Sequence, residues 1–315
     1  MKEEPEFIPR KFAVVGAGPV GCIVAAFLAK GGYEVTLCDV VPDLVSPALT
    51  DGITIEGAEN FNQKIAKTCA MVDALADDPP DVVILTVKAN VLPLLSSAIE
   101  GIMREGMYVI SWQNGIDTEL VLAQAFGRKP VMRAVVNYGC SLVKPCHVMM
   151  PFHHPPHFIQ ELDPQSRGAA LAIAQALSRS GLTTERTDRI VSMVWRKSIM
   201  NACMNPVCAV TGMTMAQAMS DPIVFQIIDS LVKECVEVAR ANEISVGWDF
   251  YPYCMDYMKK AGHHKPSMLM DIELKRLTEI DFINGQFVKY GEQAGIATPY
   301  NKTMRALVKA LESKR

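Results

Sequence analysis

Gly16-Ala17-Gly18-Pro19-Val20-Gly21 follows a short β-rich run, Lys11 to Val15, and opens an apolar stretch that reads as helix from Val20 to about Lys30. Gly31-Gly32 stops that helix, and Tyr33 to Cys38 reads as a second strand. Alone, a G-x-G-x-x-G is a weak signal. Set between strand and helix inside a β-α-β unit, it restricts the chain to α/β folds that hold a dinucleotide. Gly16 permits the tight turn, Gly18 lets backbone approach a pyrophosphate, and Gly21 lets helix and strand pack closely. Pro19 and Val20 begin the helix, whose N-terminus offers partial positive charge to an anion. Asp39, at the end of the second strand, suits the hydroxyls of the adenosine ribose and repels a 2′-phosphate. No Arg or Lys follows in Val40 to Leu44 to welcome that phosphate, so NAD(H) is expected over NADP(H).

The strand and helix signals continue. Asp81 to Val87 is a buried-strand run, Met107 to Ser111 and Pro130 to Asn137 are further strands, and Thr118 to Phe126 is helical. Gly168 to Ser180 reads as helix, and Gly181 to Glu185 as a last strand. This alternation predicts an α/β fold, a doubly wound parallel sheet. From Asp188 onward nearly everything reads as helix, broken chiefly at Pro206, Gly212, Pro222, 247–252 and 262–266. The expected division is a dinucleotide-binding domain over 1–187 and an all-helical substrate and dimerisation domain over 188–315. A chain of 315 residues has room for both at ~150 residues per domain.

Charge excludes several partners. Lys and Arg total 31 against 34 Asp and Glu, a formal net charge of −3, so nothing marks the chain for nucleic acid or an anionic membrane. The apolar stretch from Phe12 to Ala29 follows an acidic leader and contains the glycine turn, which makes a poor membrane span. Nine scattered cysteines without a C-x-x-C fit a reducing cytoplasm. Residues 1–10 read as a loose arm.

The most informative helical stretch is Trp195 to Pro206. Lys197, Asn201 and Asn205 recur every fourth residue and share one stripe of an otherwise apolar helix. Two asparagines are unusual on a solvated face. Pro206 lacks a backbone donor and is expected to kink or interrupt the helix, freeing a carbonyl near Asn205. A second segment, Ser267 to Asp271 followed by Thr278 to Gly285, again sets hydroxyls and carboxylates among Leu, Ile and Met.

At these residues the chain resembles the ketopantoate reductase (2-dehydropantoate 2-reductase) family. The resemblance runs from the glycine turn through Val87-Lys88 and Gln113-Asn114-Gly115 to Trp195–Pro206 and Ser267–Gly285. It implies a Rossmann domain joined to an all-helical domain, with the active site in the cleft between them. It also implies Lys197 as the general acid and Glu279 as the glutamate that holds cofactor and active-site geometry. Asn201, Asn205 and Ser267 match substrate-binding positions, and Asp271 an acidic residue near the site. Lys88 and Asn114 match residues that face the cofactor and the reaction centre. The implied reaction is hydride transfer to the 2-oxo group of ketopantoate or a related acid, in a homodimeric enzyme of pantothenate biosynthesis.

Two departures bear on the substrate. A third substrate-facing asparagine is replaced by Met213-Thr214-Met215, and a glycine-containing hairpin by the His-rich run 146–157. These leave open another hydroxyacid or opine-type dehydrogenase on the same scaffold. A non-catalytic dinucleotide sensor is the reading from a different class, and Lys197 with Glu279 argues against it. His147, His153, His154 and His157 fit no zinc spacing, so no metal is expected, and the run reads as a pocket rim or partner surface. The methionines between Met193 and Met219 read as filling between helices.

Overall fold

The computed structural model describes residues 7–260 and 262–314. Of the arm expected over 1–10, residues 1–6 lie outside the described residues, and the Arg10 amide is bonded to Asp81. The chain divides into two compact units. The first runs through Val87 and includes Val91–Gln113 and Thr118–Ile190; the second comprises Lys88–Asn90, Asn114–Asp117 and Val191–Arg315.

In the first unit, β1 (Lys11–Val15), α1 (Pro19–Lys30) and β2 (Glu34–Cys38) form the expected β-α-β unit. Two single-turn helices follow, α2 (Pro42–Val45) and α3 (Pro47–Thr50), then β3 (Ile53–Gly57), β4 (Phe61–Gln63) and β5 (Lys67–Cys69). Next come β6 (Val82–Leu85), α4 (Leu92–Glu100), β7 (Tyr108–Ser111), α5 (Thr118–Phe126) and β8 (Val131–Val135). The unit closes with β9 (Tyr138–Lys144), β10 (His147–His153), β11 (His157–Glu161), α6 (Arg167–Arg179) and β12 (Thr184–Arg186). Eight strands form one sheet in the order β12-β11-β8-β7-β6-β1-β2-β5. Every pair in it is parallel except β8 with β11. Its central strands are apolar throughout because helices cover them: Val82 to Leu85 have no exposed surface, nor do Ile23 to Ala26 of α1.

The parallel-sheet expectation needs two corrections. The antiparallel β8–β11 pair makes the main sheet mixed. A second sheet of four strands, β4-β3-β10-β9, was not anticipated. The His-rich run is also no hairpin. The hairpin is β9 with β10, and residues 153–157 carry the chain from the small sheet into the main one. Period-two burial in β10, with Val148 and Met150 inside, was masked by the histidines and prolines around it.

The second unit is helical: α7 (Ile190–Thr211), α8 (Met215–Ser220), α9 (Pro222–Ala241), α10 (Phe250–Lys259), α11 (Ser267–Glu273), α12 (Asn284–Ala294) and α13 (Pro299–Glu312). The break expected at Pro206 does not occur; α7 runs through it. Proline removes the bond to the carbonyl four residues back, which is that of Ala202 rather than one beside Asn205. Asn284 Nδ2 donates to the Ala202 oxygen at 3.0 Å and so fills the vacancy. Asn284 also donates to Asn301 Oδ1 at 2.9 Å, and Asn301 Nδ2 to Glu234 Oε1 at 2.7 Å, a buried chain tying α7, α12, α13 and α9. Among the described residues no helix is long and apolar enough to cross a membrane.

Candidate active site

The glycine turn is held from both sides. Gly16 has φ +109°, open to glycine and strained for other residues. Its N–H donates to the Cys38 carbonyl at 2.8 Å, and its carbonyl accepts from Thr86 Oγ1 at 2.8 Å. The Ala17 amide donates to Asp39 Oδ2 at 2.8 Å and the Val41 amide to Asp39 Oδ1 at 3.0 Å. Asp39 is thereby fixed beside the turn with lone pairs to spare on both oxygens. Helix α1 begins with Pro19 after Gly18, which caps with no side chain, so the first-turn amides of Val20 and Gly21 have no side-chain acceptor. A Cβ on Gly18 would meet nothing within 4 Å, whereas one on Gly21 would lie 1.8 Å from the Gly16 carbonyl oxygen. The turn therefore has an open side at Gly18 and a closed, packed side at Gly21. That is the shape a pyrophosphate cradle requires.

In the second unit the structure brings Lys88, Asp271 and Glu279 together. Lys88 Nζ lies 2.5 Å from Asp271 Oδ2 and 3.8 Å from Glu279 Oε2. Glu279 Oε1 accepts from the Ala89 amide at 3.1 Å, which pins the segment carrying Lys88. Both carboxylates are buried. Burial works against the Lys88 ammonium, but the charges of Glu279 and Asp271 prevail and hold its pKa above the ordinary lysine value. Burial pushes the Asp271 carboxyl above its usual range. Lys88 does not cancel this, because Glu279 adds a second negative charge.

Asn114 is half-buried at the head of a second anchored segment. Gly115, at φ +105°, passes so close to Phe282 that a Cβ would stand 2.7 Å from its carbonyl oxygen, and the Ile116 amide donates to that oxygen at 2.9 Å. Asp117, at φ +65°, accepts from Tyr290 Oη at 3.0 Å and Lys289 Nζ at 2.9 Å.

Helix α7 presents Lys197, Asn201 and Asn205 as its polar stripe. Lys197 and Asn201 are partly buried and Asn205 is buried. The side chains of Asn201 and Asn205 have no hydrogen-bond partner among the described residues. Neither amide is among the buried unpartnered polar atoms, so both reach accessible surface where a ligand can meet them. Arg196, beside Lys197, does other work: it donates to the Val246 carbonyl at 2.6 Å and lies over the Phe250 ring at 4.7 Å. Ser267 is exposed at the first position of α11, one turn before Asp271.

One supporting residue escaped sequence reading. Glu312, near the chain end, accepts from Thr278 N at 2.8 Å and Thr278 Oγ1 at 2.7 Å, and so clamps the residue next to Glu279. Only the amphipathic pattern of α13 signals that Glu312 turns inward. Burial raises the Glu312 carboxyl, but Thr278 and Lys309 outweigh it and the pKa is lowered. Glu312→Ala is expected to cost about 1–3 kcal/mol in urea unfolding at neutral pH, by orphaning the Thr278 donors. Because the folded pKa is the lower one, that stabilisation is present above the unfolded pKa and is lost on acidification through the folded value. The gap between wild type and variant should therefore close as pH falls below about 4.

Of the histidines in the run 146–157, His153 and His157 pair with each other. His153 Nε2 and His157 Nε2 are 3.1 Å apart, His157 Nδ1 accepts from the Asn137 amide at 3.1 Å, and His147 Nε2 is 3.1 Å from Glu56. Among the described residues no group of three or more His, Cys, Asp or Glu could hold a metal ion.

A glycine turn open on one side, a carboxylate fixed beside it and a lysine-headed polar helix are features expected of a dinucleotide-dependent oxidoreductase. Two family models match, "Ketopantoate reductase PanE/ApbA" over residues 12–158 and its C-terminal counterpart over 189–312. The chain belongs to the ketopantoate reductase family and is an oxidoreductase. A 2-dehydropantoate 2-reductase of Streptococcus pyogenes is 28% identical over 95% of this chain and 97% of its own. One from Archaeoglobus fulgidus is 28% identical over 96% and 98%. Among solved structures, D-mandelate dehydrogenase with NADH and anilino(oxo)acetate superposes with TM-score 0.88 at 27% identity, covering 96% of this chain and 98% of that one. A family ketopantoate reductase from Ralstonia eutropha superposes with TM-score 0.85 at 26% identity, covering 96% and 99%.

Proposed function

We propose that this protein reduces the 2-oxo group of ketopantoate or a closely related 2-oxo acid with NADH. The observation that carries the reading is the α7 stripe, a lysine followed by two asparagine amides unpaired among the described residues. The glycine turn fits the pyrophosphate and Asp39 fits the ribose hydroxyls; the bound dinucleotide supplies the hydride. Negative charge then develops on the former carbonyl oxygen. Lys197 stabilises it and delivers the proton from Nζ. Asn201, Asn205 and Ser267 bind carboxylate and hydroxyl without adding charge. Lys88, held charged between Asp271 and Glu279, keeps the 88–90 segment in one position, and Asn114 lies on the second anchored segment.

Asp39 also carries the choice of cofactor. Asp39→Ser is expected to raise the kcat/KM ratio of NADPH to NADH by about tenfold or more, by removing a carboxylate that a 2′-phosphate would face. An unchanged ratio sinks that assignment.

A second reading concerns the substrate. Met213-Thr214-Met215 offers thioethers where a third amide would serve a hydroxylated acid, and the D-mandelate dehydrogenase likeness points the same way. It favours a 2-oxo acid with an apolar side chain. Following NADH oxidation across ketopantoate, branched and aromatic 2-oxo acids, each repeated with NADPH, decides between the two. Tight NADH binding without turnover on any acid would instead indicate a sensor. The nine free thiols fit a cytoplasmic enzyme, and the family membership fits a homodimer formed through the helical unit, which light scattering tests.

A further inference from the structure

Two of the nine cysteines, Cys38 and Cys69, stand on adjacent strands of the main sheet. Cys69 is partly exposed and ends β5, a three-residue strand at the edge of that sheet. Cys38 lies directly opposite it in the parallel β2–β5 register, so both side chains leave the same face.

We infer that Cys38 and Cys69 form a reversible disulfide that releases the dinucleotide, a redox site built into the cofactor turn. This rests on the reading that NADH binds at the glycine turn. The backbone couples the pair to that turn: the Cys38 carbonyl holds the Gly16 amide at 2.8 Å, and the Cys69 carbonyl holds the Asp39 amide at 3.1 Å. Paired strands run ~4.8 Å apart, which suits the Cα atoms of a disulfide. Its Cβ atoms, however, must come within about 3.5–4.5 Å. Closing the bond therefore draws β5 against β2 and disturbs the two carbonyls that position Gly16 and Asp39. A short edge strand can make that movement where a central strand cannot.

The chemistry needs a peroxide. The Cys69 sulfur, its pKa lowered by the neighbouring Cys38 thiol, attacks the O–O bond to give a sulfenic acid and one water. The Cys38 sulfur then displaces the hydroxyl as a second water and the S–S bond forms. Two thiols lose two electrons and two protons, and one peroxide becomes two waters. A transient bond of this kind is compatible with a reducing compartment.

The test treats reduced full-length protein with hydrogen peroxide, maps disulfide-linked peptides by mass spectrometry and titrates NADH by fluorescence. A Cys38–Cys69 linked peptide is expected, with NADH bound at least about tenfold more weakly. Dithiothreitol should reverse both, and Cys69→Ser and Cys69→Ala should show neither. No linked peptide, or a linked peptide with unchanged NADH affinity, overturns the inference. Failure of the reduced wild type to bind NADH overturns the cofactor reading instead, because the cross-link is mapped without cofactor.

Discussion

Lys197→Ala is expected to lower kcat by ~10²–10⁴ on the true substrate, the range a positioned general acid contributes. NADH affinity should change by less than about twofold, because the dinucleotide is assigned to backbone amides and Asp39 in the other unit. The split between kcat and cofactor binding is what separates a proton donor from a residue that merely supports the helix. Helix α7 should tolerate the change: Lys197 is only partly buried, alanine is the best helix former, and Trp195, Ser198 and Ile199 hold the neighbouring turn. A second readout is the pH profile, whose basic limb in wild type reports the acid and should vanish from the residual activity of the variant. Lys197→Arg keeps the charge but cannot release a proton near neutrality, so it should restore little. Near-normal turnover in either variant would remove Lys197 from the chemistry and transfer the role to another donor such as Lys88.

Local signals were sufficient where one element decides its own shape. The strand, glycine turn and helix over 11–30 follow from periodicity and turn residues, and the α7 stripe follows from spacing. What stayed hidden depends on partners distant in the chain. The β3–β4 and β9–β10 pairs form one sheet only because residues near 55 meet residues near 148. The course of α7 through Pro206 could not be read locally either, because the group that satisfies Ala202 is Asn284. At the site, Lys88, Asp271 and Glu279 were visible as residue types in a resembling pattern. Their meeting was not: it joins positions far apart in the chain through two ion pairs and one backbone-amide hydrogen bond. Glu312 shows the same limit. Nothing near it in sequence announces that it braces Thr278.

Two glycines three residues apart, Gly18 and Gly21, should respond to the same methyl group in opposite ways. In Gly21→Ala the new Cβ would stand 1.8 Å from the Gly16 carbonyl oxygen and 2.6 Å from Thr86 Oγ1. The first obstacle is backbone of the turn itself, so relief requires α1 to lift from β1, across a core containing Cys22, Ile23 and Ala26. A cost of about 3 kcal/mol or more is expected, at the upper end of overpacking effects, together with loss of NADH binding. In Gly18→Ala the methyl meets nothing within 4 Å and φ is −68°, which any residue adopts. Its stability should stay within about 1 kcal/mol of wild type, the usual loss for alanine at an N-cap. Yet its methyl occupies the open side of the turn, where a pyrophosphate must approach, so NADH affinity should fall by about tenfold or more. Urea unfolding and NADH titration on the two variants thus separate packing from binding at one motif. Wild-type affinity in Gly18→Ala would show that the open side does not face the dinucleotide. Wild-type stability in Gly21→Ala would show that the close helix–strand approach is not required.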